Sequence, residues 1–91
     1  MRVRTCAGRI IEAQEIRCEW LEKRNKLKLV VKQGNCRGVE EEFIAEEDTV
    51  LTLGKMEEIL THATLVGYID LRDYYLIPIN EAPKKEEKEA H

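Results

Sequence analysis

The chain has 91 residues, 36% of them charged, 43% apolar and 5% aromatic, with a net charge of −3. That length holds one domain and leaves no room for a second core. No uncharged stretch approaches a membrane span, Met1 to Gly8 lacks the apolar run of a secretory signal, and collagen, coiled-coil and disulfide-scaffold compositions are excluded.

Val3 to Ala7 alternates and reads as a short strand ended by Gly8. Residues 9–24 fit two patterns. At 100° per residue, Ile10, Ala13, Ile16, Trp20 and Leu21 share one arc, and Glu19–Lys23 and Glu22–Lys26 are well-oriented i,i+4 pairs. With many helix formers in the run, an amphipathic helix is the favoured reading. Against it, Arg17 sits inside the apolar arc, and Ile16, Cys18 and Trp20 alternate with Arg17 and Glu19 as in a strand.

Leu27 to Gln33 is a predicted strand, with Leu27, Leu29 and Val31 on one face and Lys28, Val30 and Lys32 on the other. The run from Gly34 to Gly38 is a turn signal. Val39 to Ile44 follows as the partner strand, with Val39 and Phe43 toward the core. If the turn sets Leu29 opposite Phe43, Lys32 falls opposite Glu40, and Glu42 lies diagonally between Lys28 and Lys32. Thr52 suits the N-cap of a helix over Leu53 to Ala63, whose apolar stripe is Met56, Ile59, Leu60 and Ala63. Leu65 to Asp70 and Tyr74 to Ile79 read as a second hairpin turning at Leu71–Arg72–Asp73, with Pro78 confining the last strand to an edge or a strand end. From residue 80 the chain has no apolar face and reads as a charged tail.

The expected architecture is therefore one α+β domain over residues 1–79 with a tail at 80–91. It has a mostly antiparallel sheet of four to five strands and one or two helices, in βαββαββ order. If residues 9–24 are strand instead, the alternative is a small β-barrel carrying one helix. The predicted core is Leu27, Leu29, Val31, Phe43, Met56, Ile59, Leu60 and Ile69.

Fifteen Glu and eight Lys stand against two Gln, three Asn and no Ser. That is a thermophile's pattern, because desolvating ions becomes less costly as temperature rises. Cys6, Cys18 and Cys36 form no Cys-x-x-Cys pair and have no histidine near them in sequence, so no metal site and no cofactor is expected. An odd cysteine count reads as reduced thiols in a cytoplasmic protein. Since hyperthermophile chains do carry disulfides, one intrachain bridge with a spare thiol, or a bridge between chains, stays open.

The chain is charge-polarised. Residues 1–38 hold ten basic and four acidic residues, and residues 39–91 hold five basic and fourteen acidic. No catalytic residue is expected. Without Ser a Ser-His-Asp arrangement cannot form. His62 is the sole internal histidine and sits near a helix end, Asp70 and Asp73 suit turn chemistry, and Glu57 and Glu58 suit a helix's first turns. The leading expectation is a non-enzymatic interaction domain, a homo-oligomer or an assembly subunit, offering Glu40, Glu42, Glu46, Glu47 and Asp48 to a protein partner. The alternative is a single-stranded nucleic-acid binder that uses Lys23, Arg24, Lys26, Lys28, Lys32 and Arg37 on phosphates and Trp20 for stacking.

Overall fold

The computed structural model describes residues 1–34, 38–46 and 49–81. Among them are six strands and one α-helix: β1 (Arg2–Arg4), β2 (Ile10–Leu21), β3 (Lys26–Gln33), β4 (Glu40–Ala45), α1 (Leu53–Val66), β5 (Tyr68–Asp70) and β6 (Leu76–Pro78). They form one mixed sheet in the order β5-β1-β2-β3-β4-β6. Every pairing is antiparallel except that of β1 with β5.

The broad α+β class stands, but the strand count and order differ from expectation. The favoured helix over residues 9–24 is the twelve-residue strand β2, at ~3.3 Å per residue about 40 Å long. Its partner β3 runs from Lys26 to Gln33. The register changes between Ala13↔Gln33 and Glu15↔Lys32, so Gln14 is an inserted bulge residue. Before the bulge the inward residues are odd, Ile11 and Ala13. After it they are even, Ile16 and Cys18 packing on the core and Trp20 sharing their parity. An interrupted period of two thus carries the apolar spacing of a helix.

The expected second hairpin is also absent. β5 and β6 do not pair with each other: β5 lies beside β1, and β6 beside β4, at opposite edges of the sheet. A 3-10 turn over Leu71–Tyr74 joins them. Because one short turn links both edges, the sheet must curl, and it forms a half-barrel. This lies toward the barrel alternative for residues 9–24. Pro78 ends the edge strand β6, where its missing N–H is tolerated. The first strand is shorter than expected and ends at Arg4.

The helix forms where its cap lies: Thr52 Oγ1 accepts from the Lys55 N–H at 3.1 Å. It runs one turn beyond Ala63 and ends at Gly67, whose φ of 78° suits the left-handed C-cap and whose N–H donates to the Ala63 carbonyl at 2.8 Å. Met56, Ile59 and Ala63 of α1 pack against Val3, Ile11, Leu29, Val31, Phe43, Ile69, Leu71 and Leu76. Leu27 and Leu60, expected inside, are half-buried at the core's margin. Val39, expected on the core face, precedes β4 and is 45% exposed.

The predicted register between β3 and β4 holds, with Leu29 opposite Phe43 and Lys32 opposite Glu40. On the convex face, away from α1, Val30 and Ile44 are nonetheless fully buried. Arg17 and Glu42 flank Val30 on the neighbouring strands, and Ile44 lies between Lys28 on β3 and Ile77 on β6. Arg17 donates from Nε to Glu19 at 2.6 Å and from Nη1 to Glu40 at 2.8 Å. Lys28, its side chain 13% exposed, donates to Glu42 at 2.8 Å and lies 3.7 Å from Glu19. The pairs hold the aliphatic stems of Arg17 and Lys28 down over the apolar residues.

Candidate interaction surfaces

β2 and β3 are joined by a 3-10 turn over Glu22–Arg24, with Asn25 in the left-handed region at φ 54° closing onto the Glu22 carbonyl. Beside this turn Trp20 has the inward parity of β2, and it is 55% exposed. The segment leading into α1 brings Val50 and Leu53 near it, 82% and 59% exposed. With Leu27, Ala45 and Leu51 these residues line an open groove of about 520 Å³, and Arg24, Asn25 and Lys26 form its polar side. Trp20 forms part of the groove's wall, and the volume would admit a large side chain.

The basic segment is not one surface. Lys26 Nζ donates to the carbonyls of Ala45 and Glu46 at 3.1 and 3.3 Å, tying β3 to the end of β4. Lys28 belongs to the ionic cover, and the hydrogen bond to Glu42 raises its pKa above the ordinary lysine value. Lys32 is half-buried opposite Glu40. Lys23 is exposed on the turn, and Arg24 lines the groove. Arg37 lies outside the described residues. Trp20 has the opposite parity to Lys28 across the paired strands, so the expected aromatic and the expected lysine row stand on different faces.

The acidic set is divided in the same way. Glu40 takes Arg17, Glu42 takes Lys28, and their neighbour Glu41 takes Arg9 at 2.7 Å and Gln33 at 2.9 Å. Arg17's hydrogen bonds hold the Glu19 and Glu40 carboxyls below the usual range, and Glu40 first, then Glu19, pushes the Arg17 pKa up. Glu46 is exposed at the end of β4, and Glu47 and Asp48 lie outside the described residues.

His62 stands on the exposed side of α1. Cys6 and Cys18 are free thiols, and burial pushes the Cys18 thiol up. Among the described residues no three His, Cys, Asp or Glu side chains gather as a metal-binding group. No helix among them is long and apolar enough to cross a membrane.

Sequence reasoning missed Val50 and Leu53 as partners of Trp20, Arg17 as the hub of the ionic cover, and a second cationic place on β1 and β5. Arg2 and Arg4 share the convex face of β1, and Tyr68 and Asp70 lie beside them on β5. The Arg-x-Arg spacing was visible, but the distant parallel pairing was not. Compared with family models, curated proteins and solved structures, the chain matches none of them.

Proposed function

We propose that the chain is a non-catalytic interaction domain that associates with a second copy of itself through the Trp20 groove. The observation that carries this reading is the grouping of three exposed large apolar side chains, Trp20, Val50 and Leu53, around one recess on a small domain. Contiguous apolar surface of this kind marks association sites on soluble domains. A two-fold interface requires a patch that complements itself, and a groove walled by an exposed indole and wide enough for a large side chain meets that requirement. Glu22, Lys23 and Arg24 on the adjoining turn put both charge signs at its rim, as interface rims usually have.

Trp20 is the only tryptophan, so its emission reports on the groove directly. Sedimentation velocity over a micromolar concentration series should show a particle above monomer mass, with Trp20 emission moving to the blue as concentration rises. Trp20→Ser should give a monomer that still folds. A monomer mass at every concentration, with emission that does not change, refutes the reading.

A further inference from the structure

The cations on β1 are placed differently from the rest. Val3 enters the core, so Arg2 and Arg4 both stand on the convex face. Ile69 enters the core from β5, which puts Tyr68 and Asp70 on that same face, in register with Arg2 and Arg4. The Arg2 guanidinium lies over the Tyr68 ring, 5.9 Å from its centroid. Arg72, just past β5, forks onto Asp70 through Nε at 3.0 Å and Nη2 at 2.7 Å. One carboxylate therefore serves two neighbouring arginines. Glu12, on β2, lies opposite Arg2.

Arg9, Arg17, Lys28 and Arg72 each have a carboxylate partner. Among the described residues Arg2 and Arg4 form no ion pair within 4 Å, although, after the Arg72 hydrogen bond, the Arg4 charge helps to hold the Asp70 carboxyl down. The Arg4 Nε is shut away from water and has no hydrogen-bond partner. A buried donor left unpaired is unfavourable, and because this nitrogen is sealed from the surface a ligand would meet Arg4 through its terminal nitrogens.

We infer that the convex face of β1 and β5 binds a single nucleic-acid strand, with Arg4 on its phosphates and a base stacked on the Arg2–Tyr68 pair. Guanidinium forks match phosphate oxygens, and a guanidinium lying on an aromatic ring presents its other face to a base. Alternate residues on a strand stand about 6.7 Å apart, so Arg2 and Arg4 meet an extended backbone one after the other. The face is open and convex, which suits a strand laid across it better than a small anion that needs enclosure. A stacked base must be unpaired, so the occupant is a single strand and not a duplex. The surface is on the other side of the sheet from the Trp20 groove and does not depend on self-association.

The test is fluorescence polarisation of a labelled oligothymidine with the full chain. Binding should appear at about 50 mM salt and weaken steeply by about 200 mM, with a log–log slope near −0.7 for each phosphate contact. Arg2→Ala should weaken binding roughly fivefold to a hundredfold through the lost stacking platform. Arg4→Gln should make the salt slope shallower by about 0.7. Arg2 is exposed, so Arg2→Ala should melt as wild type does even if Arg4→Gln fails to fold. Trp20→Ser should bind as wild type does, which separates this surface from the groove. No binding at about 50 mM salt, tighter binding of a duplex, or loss of binding in Lys23→Ala with Arg2→Ala unchanged would each overturn the inference.

Discussion

Val30 gives a quantitative test of the ionic cover. It is fully buried, yet it faces away from α1 and is roofed by charged side chains rather than by a second apolar layer. Exposed ion pairs contribute only about 0–1 kcal/mol each, so on this view the network acts chiefly by keeping water off Val30 and Ile44. Val30→Ala removes two buried carbons at about 0.8 kcal/mol each. A cavity adds up to about 1 kcal/mol if the cover does not collapse into it. The expected loss is about 1.5–2.5 kcal/mol, and at about 4–8 °C per kcal/mol for a domain this size Tm should fall by roughly 6–20 °C. Urea unfolding followed by circular dichroism measures the change, with the m-value unaltered. A loss below about 0.5 kcal/mol would place Val30 among surface positions and refute the idea that arginine and lysine stems seal this face.

On the opposite face, Leu29→Ala should lose about 2–5 kcal/mol in the same assay, since Leu29 is buried between β2, β4 and α1; a value under about 0.5 kcal/mol would misplace the core. The Glu19, Glu40 and Asp70 carboxyls are held below their ordinary range by hydrogen bonds from Arg17 and Arg72. A depressed carboxyl contributes stability above its unfolded pKa and loses it as pH falls through the folded one, so the urea midpoint should be flat near neutrality and drop below about pH 4, less steeply in Arg17→Gln. Lys28, with its pKa raised, contributes stability that is lost only on the alkaline side, above the ordinary lysine range. With a thiol reagent near neutral pH, the exposed Cys6 should react well before Cys18, which is half-buried and whose thiolate is disfavoured by burial; equal rates would contradict that placement.

What the sequence disclosed divides by range. Period-two alternation identified β3 and β4 and their register down to the Lys28–Glu42 pair, because cross-strand partners joined by a short connection are set locally. Thr52 marked the start of α1 for the same reason, a cap being a contact three residues long. β2 was misread because Gln14 adds one residue to the alternation, so that Ala13 and Ile16 show the i,i+3 step of a helix. Tyr68–Asp70 and Leu76–Pro78 were rightly strands but wrongly partners: nothing near them in sequence says that each reaches across the sheet to a different edge. The candidate site suffered most. Trp20 was singled out and is exposed, but Lys28 and Lys32, grouped with it, face the other way, and Val50 and Leu53 gain their meaning only when the chain returns past the β2–β3 turn.

The strap formed by residues 68–78 has a kinetic meaning. During synthesis β1 to β4 and α1 emerge with both flanks of the sheet bare, and neither is covered until the last strands arrive. One segment then closes both flanks, each with a three-residue strand too short to template a foreign chain. Because the Leu71–Tyr74 turn couples the two flanks, detaching the segment unzips them together. Native-state hydrogen exchange should therefore find the amides of β1 that face β5 and those of β4 that face β6 opening with one shared free energy, although β2 and β3 lie between those strands.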